Sequence, residues 1–435
     1  MNWQQLEDSF FRMAKRVIGR TLRENPDETF YGAAIHELYR ELDGQIAFPW
    51  LALNTLENLP DGEDTGVKYN PPDWKWPDVG SPTKELEKLW GQLQTEANRS
   101  TQAHWLKTEK RFVATMVRVV KRLYREFKDH PRVSKDFFVF FADEDDQLEL
   151  LKKCLPKKLL MHHFGEVFEA EAERDVVVNA PAADRFEKFR EDLWDFEDEL
   201  VAMGSEAVDF ALGELLAENN VSTAARIVGR IGIANEYVIS TLRGEVLKSG
   251  KSAAWSARAL AMLGDLDWLL EQTDSEKTRK HAVGGLVLPL RSFANETAQP
   301  IPLDYRPLEA LLQKGCSECE EIAAEELRPG SVYVDIAKDD VDEAVRGMRS
   351  KFVTIRQHAV CVAGERKLGA AAAKKLLPAI VERFQDEVPN VRRLAILALS
   401  YWKAKARPYH EEARKLIEDP DKDVRIFAFD RFGNV

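Results

Sequence analysis

Three segments near the end of the chain repeat one pattern: Ile355-Arg356-Gln357-His358-Ala359, Val391-Arg392-Arg393-Leu394-Ala395 and Val424-Arg425-Ile426-Phe427-Ala428. In each, a branched apolar residue precedes an arginine, and an alanine follows three places after it. The arginines stand 36 and then 33 residues apart, and Asp386 and Asp419 lie six residues ahead of the second and third. That period belongs to a helix pair that cannot bury its apolar face alone and stacks on its neighbours. The alanine lets adjacent helices approach, and the Val and Leu positions fill the seam between pairs. The aspartate is suited to cap a helix start, with the arginine of the next repeat bonding to it as an internal ladder. Arg356, Arg392 and Arg425 are read as structural. The variable positions beside them, Gln357, Arg393 and Ser400, are candidates for contact with a partner.

The pattern returns faintly upstream, where Thr278-Arg279-Lys280-His281-Ala282-Val283 echoes Ile355 to Val360. From residue 183 onward the chain reads as helix after helix, broken at Gly and Pro positions. Ser331 to Ile336 is strand-like and is taken as an irregular insertion. The Asp…Val-Arg…Ala pattern resembles HEAT-type repeats. That resemblance implies an all-α solenoid of about six helix pairs over 183–435.

Residues 1–175 have a different texture, that of an α+β domain with a small sheet. Trp3, Leu6, Phe10, Met13 or Ala14, and Val17 recur at helical spacing over 3–24, and Pro26 stops the helix. Phe30 to Ile35 and Gln45 to Leu53 read as two strands of a hairpin turning at Asp43-Gly44. Pro49 cannot donate to a ladder, which places the second strand at an edge or a bulge. A Pro- and Gly-rich loop spans 60–82, two helices cover about 83–97 and 104–128, and Phe137 to Phe141 is a buried strand. Asp143 to Asp146 then caps a helix over about 146–153.

Four pieces of this region occur in a familiar order. They are Asn25-Pro26-Asp27-Glu28-Thr29-Phe30-Tyr31-Gly32, the Leu53-Asn54-Thr55 strand end, the Pro-Asp-Trp loop, and the late aromatic strand followed by acidic residues. The region resembles the bacterial family known as domain of unknown function 4303. The resemblance implies no settled activity, and a setting among bacterial toxin–immunity and related conflict systems.

No catalytic signature stands out. Cys316-Ser317-Glu318-Cys319 is a lone pair at this spacing, short of the four ligands of a structural zinc site. A helical segment, not a strand, precedes it. The chain has four cysteines, and reduced thiols are expected. His162-His163 has no His-Glu-x-x-His frame, and adjacent residues on a helix point to different sides. Acidic runs such as Glu191-Asp192 and Asp195 to Glu199 read as solvated helix faces. No metal and no cofactor is expected. Trp74 and Trp76, with Asp73 and Asn54 nearby, form either a binding pocket or a cover folded over the sheet edge; cover is preferred because large aromatics are usually buried.

The net charge of −12 disfavours a general role on nucleic acid and favours a basic partner. There is no apolar run of about 18 residues and no signal-peptide layout, so a cytoplasmic protein without a membrane segment is expected. The leading reading is a non-enzymatic protein-binding protein. Its sharper form, through the family resemblance, is an immunity-type protein that neutralises a toxin. Two alternatives stand. One is nucleic-acid binding on the helical scaffold, through Arg366, Lys367, Lys374, Lys375, Arg392, Arg393, Lys403, Lys405 and Arg407. The other is a small-molecule or catalytic site at the Trp loop.

Overall fold

The computed structural model describes residues 1–37, 40–41, 45–59, 65–99, 102–142, 147–292, 301–330, 333–364 and 368–433. The chain divides into two compact units, Met1–Val176 and Val177–Val435.

The first unit opens with α1 (Trp3–Glu24), capped by Asn2, whose side chain accepts from the Gln5 N–H. Its buried stripe runs through Leu6, Phe10, Met13, Ala14 and Val17, as the spacing requires. A four-stranded sheet follows in the order β5 (Trp76–Val79), β4 (Trp50–Thr55), β1 (Phe30–His36), β6 (Val133–Phe141). β1 is antiparallel to β4 and parallel to β6, so the sheet is mixed. The parallel pairing is made through α2 (Thr65–Tyr69), α3 (Lys84–Ala97) and α4 (Gln102–Phe127), since a parallel crossover needs a long connection. α4 packs on both α1 and β6. α5 (Gln147–Cys154) and α6 (Lys157–Val178) complete the unit.

Two details differ from the sequence expectation. The second expected strand divides into β3 (Gln45–Ile46), paired with β2 (Arg40–Glu41), and β4; Pro49 lies just before β4. β4 is interior, because Trp76–Val79 adds beyond it as the edge strand. Pro77 is tolerated there because an edge residue has one side without a ladder. The expected turn at Leu42–Gly44, the capping run Asp143–Asp146, and Ser331-Val332 lie outside the described residues.

The second unit is all-α and solenoid-like. It opens with α7 (Ala182–Glu191) and α8 (Glu197–Met203). Helices then pair in succession: α9 (Ser205–Leu216) with α10 (Val221–Ile231), α11 (Glu236–Lys248) with α12 (Ala253–Met262), and α13 (Leu266–Gln272) with α14 (Glu276–Leu286). Next come α15 (Arg306–Gln313) with α16 (Ser317–Glu326), and α17 (Val341–Met348) with α18 (Val353–Val362). The last are α19 (Gly369–Glu382) with α20 (Pro389–Tyr401), and α21 (His410–Lys415) with α22 (Lys422–Phe432). This makes seven pairs among the described residues, against an expectation of about six. Even-numbered helices also pack on one another: α10 on α12, α12 on α14, α18 on α20, α20 on α22.

The ladder exists, with its direction reversed from the expectation. Arg356 donates to Asp386 from Nε (2.8 Å) and Nη2 (3.1 Å), so each aspartate is held by the arginine of the preceding repeat. Every signature arginine also reaches a carbonyl six residues upstream: Arg279 to Thr273, Arg356 to Ser350, Arg392 to Asp386 and Arg425 to Asp419. Arg279 thereby joins the faint upstream repeat to the series. Asp386 and Asp419 do not cap a helix start; each accepts instead from the N–H two residues on, at Val388 and Asp421. The seam positions are equally regular. Val360 on α18 and Ile396 on α20 are fully buried, whereas Phe429, at the corresponding place on α22, is 53% exposed.

Between α14 and α17 the repeat is interrupted. Tyr333 forms an isolated antiparallel bridge with Arg291, and His358 ties the interruption to α18. The Tyr305 hydroxyl donates to His358 Nδ1 (2.8 Å), and His358 Nε2 donates to the Leu290 carbonyl (2.7 Å). The expectation of four reduced thiols is corrected: Cys316 and Cys319 form a disulfide, their spacing letting one helical turn bring the sulfurs together. Cys154 and Cys361 are free thiols.

Candidate functional site

The polar groups of the first unit gather where β1 is irregular. Phe30 pairs with Thr55 and Gly32 with Asn54, leaving Tyr31 as the extra residue of a bulge. Its hydroxyl donates to the Lys68 carbonyl (2.9 Å) and accepts from Asn54 Nδ2 (3.0 Å). Burial pushes the Tyr31 hydroxyl well above the usual phenol range, so it stays protonated. Asn54 Oδ1 accepts from Asn58 Nδ2 (3.0 Å) and the Lys75 N–H (3.3 Å). Trp74 donates from its indole to the Val67 and Lys68 carbonyls, and its ring meets Tyr31 and Phe140 edge-on. Gly32 fits closely here: a Cβ would lie 3.1 Å from the Trp74 ring and 3.3 Å from Phe138, and those rings would have to give way by a few tenths of an ångström.

Of the residues singled out in the Trp segment, Asn54 and Trp74 are thus brought together, but as enclosed groups. Trp76 is half-buried and stacks on Phe30 at 5.3 Å, with the Lys75 ammonium over its outer face. Asp73 is exposed, and its carboxylate accepts from Asn70 Nδ2 at 2.7 Å. The segment covers and extends the sheet.

Nearby, Tyr69 leads to a cluster that sequence reasoning separated. His162 Nε2 lies 2.9 Å from Asp136 Oδ2, and His163 Nε2 lies 2.7 Å from the Asp136 carbonyl. The two histidines do not diverge because α6 is broken at Phe164 (φ −129°, ψ 27°), where the helical period fails. Burial, and the neighbouring charges of Lys68 and His162, lower the His163 proton affinity, and its ring lies tilted by 39° against Phe138 with centroids 4.2 Å apart. Burial raises the Asp136 carboxyl, but hydrogen bonding outweighs it and leaves the group below its usual range. Two imidazoles and a carboxylate are a donor set that could hold Zn²⁺, and one atom from each lies within 4.8 Å of the others. In the arrangement found, both Nε2 atoms are engaged with Asp136, so the three groups brace the kink rather than open onto a common centre.

In the second unit Gln357, Arg393 and Ser400 fall on α18 and α20, which pack together. Gln357 and Arg393 occupy matching repeat positions, each following a signature arginine. The Arg393 guanidinium is fixed by Asn390 Oδ1 (2.8 and 3.1 Å) and lies over the Phe427 ring. The Ser400 hydroxyl donates to the Leu397 carbonyl. All three are half-buried.

A further surface emerges in the turn between α7 and α8. Leu193 is buried there, but Trp194 is 65% exposed, with the Arg226 guanidinium against one side of its ring. Glu191, Asp192, Asp195 and Asp198, its neighbours in sequence, are exposed as well. Buried Glu197 holds Arg226 (3.2 Å) and Arg230 (2.8 Å) beneath, and Arg230 also reaches Asp198. The sequence carried this signal as a tryptophan inside an acidic run, read as a solvated face.

No curated protein matches the chain. Two solved structures, both described as engineered proteins from the Northeast Structural Genomics Consortium, are similar to parts of it. One has 15% identity, covering 59% of this chain and 94% of its own, with a TM-score of 0.21. The other has 14% identity, covering 81% and 86%, with a TM-score of 0.23. Neither score establishes a shared fold. Residues 12–153 match the model of the family described as domain of unknown function DUF4303, which bears out the resemblance for that region of the chain.

Proposed function

We propose that this chain is a non-enzymatic protein-binding protein, with a HEAT-type scaffold as its second unit and a basic protein as its partner. The observation that carries the reading is Trp194, 65% exposed in a turn whose neighbouring residues Glu191, Asp192, Asp195 and Asp198 are also exposed. A few residues supply most of the energy at protein interfaces, and tryptophan is enriched among them. Neighbouring carboxylates steer a basic surface toward them and reject acidic ones. The net charge of −12 acts in the same sense at longer range. The sharper form is an immunity-type protein that neutralises a basic toxin in the bacterial cytoplasm; it follows from the family resemblance of the N-terminal region.

The alternatives have less support. Of the basic stretch suited to nucleic acid, Arg392 is buried on Asp419, Lys375 is paired with Asp342 (2.6 Å), and Arg393 is held by Asn390. Arg366 and Lys367 lie outside the described residues. The small-molecule reading needed an open Trp74, and its ring is enclosed.

The test is a pull-down from host extract with the wild type, Trp194→Ala and Asp195→Lys, followed by calorimetry on the purified partner. A basic protein that both variants lose, with a Trp194→Ala affinity at least about 30-fold weaker, is the expected result. Equal retention by all three baits, or no basic protein held at moderate salt, overturns the reading.

A further inference from the structure

Cys316 and Cys319 sit at the start of α16, in the arrangement that makes a cysteine pair reactive. Cys316 is the N-cap residue, and its Sγ accepts from the Cys319 N–H at 3.2 Å. Unpaired N–H groups of a helix start favour negative charge on whatever atom faces them. A thiolate at Cys316, whether attacking or leaving, is stabilised in this way. The two sulfurs also differ in access. Cys316 is half-buried and flanked by exposed Gly315, Ser317 and Glu318, whereas Cys319 is 1% exposed. One sulfur can meet an outside reagent, and the other can only meet its neighbour.

A structural staple is a poor account of the bond. It closes a loop of three residues' separation within one turn, and so removes little freedom from the unfolded chain. It joins no two elements that the apolar core does not already join.

We propose that Cys316–Cys319 is a thiol–disulfide exchange centre. A partner thiolate attacks Cys316 Sγ, the sulfur–sulfur bond breaks, and Cys319 leaves as a thiolate that takes a proton from solvent. A second partner thiolate attacks the partner's sulfur in the mixed disulfide and releases Cys316. The balance is one protein disulfide plus two thiols giving one protein dithiol plus one partner disulfide, with two electrons and two protons transferred. In the reverse direction Cys316 attacks a partner disulfide and Cys319 resolves it. Glu318 and Glu320 in the first turn oppose the thiolate, and Glu318 is partly neutralised by Arg279. Cys154 and Cys361 provide internal controls, since burial pushes their thiols up to about 11 and about 12.

The experiment equilibrates the native full chain in glutathione redox buffers over a window from mostly oxidised to mostly reduced. Exchange is then quenched with acid, the chain is unfolded, and all thiols are tagged with a maleimide and counted by mass above the constant pair Cys154 and Cys361. The expected result is a cooperative two-thiol transition within that window, with circular dichroism unchanged. Cys319→Ser should trap one glutathione as a mixed disulfide at Cys316 when given oxidised glutathione, and native Cys316→Ser should trap none. A pair that changes state only in denaturant, or glutathione trapped at Cys319 in preference to Cys316, overturns the proposal.

Discussion

Arg392 and Asp419 face each other as a fork on a carboxylate. Nε donates to Oδ2 at 2.8 Å and Nη2 to Oδ1 at 2.7 Å, both buried. The remaining nitrogen, Nη1, donates to the carbonyl of Asp386, whose own side chain holds Arg356. Each rung of the ladder is therefore fixed by the backbone of the previous one.

Removing one member of a buried ion pair strands the other. Asp419→Ala is expected to cost about 3–5 kcal/mol. Arg425→Ala, which loses only hydrogen bonds to carbonyls at a more open site, should cost about 1 kcal/mol. Thermal unfolding followed by circular dichroism gives the order.

His358 makes the second unit sensitive to acid. Complete burial lowers its pKa from 6.5 to about 4. Its folded proton affinity is below the unfolded one, so the neutral ring contributes stability that is fully present above pH 6.5. That contribution is lost as pH falls through 4, and amounts to about 3 kcal/mol. A protonated ring would direct a second N–H at the Tyr305 oxygen, whose hydroxyl burial keeps protonated. Denaturation midpoints between pH 7 and 4 should fall for the wild type and fall less for His358→Gln.

Gly347 is a packing requirement. A Cβ there would collide with the Tyr305 ring and lie 2.9 Å from Ala359. Gly347→Ala should destabilise by about 1–3 kcal/mol by displacing that ring from His358. Denaturant unfolding, with near-ultraviolet circular dichroism as the probe of the tyrosine, checks it.

Tyr31→Phe removes the group that bridges Lys68 and Asn54 and leaves the buried Asn54 amide short of a partner. The expected loss is about 1–3 kcal/mol in the first unit, read by denaturant unfolding.

Much of this was legible in the chain, and for definite reasons. The arginine spacing gave the stacked pairs because a repeat imposes one period on many helices. It did not give the direction of the rungs, since spacing alone cannot say which neighbour an arginine reaches. The Trp segment read as part of a Pro- and Gly-rich loop over 60–82, yet an edge strand needs no N–H on its outer side and can hold Pro77. The meeting of His162 and His163 at Asp136 was hidden by the break at Phe164, which no residue type announces. Trp194 was visible, but a charged run reads as a solvated face until the depth of its aromatics is known.

The exposure of Phe429 has a consequence for how the second unit comes apart. Val360 and Ile396 are fully buried on α18 and α20, whereas Phe429 leaves about half of its surface open on α22. In a stack whose cooperativity passes between nearest neighbours, such a helix opens first and most often. Amide protons of α22 should therefore exchange by local fraying, while those of α18 and α20 wait for a larger opening.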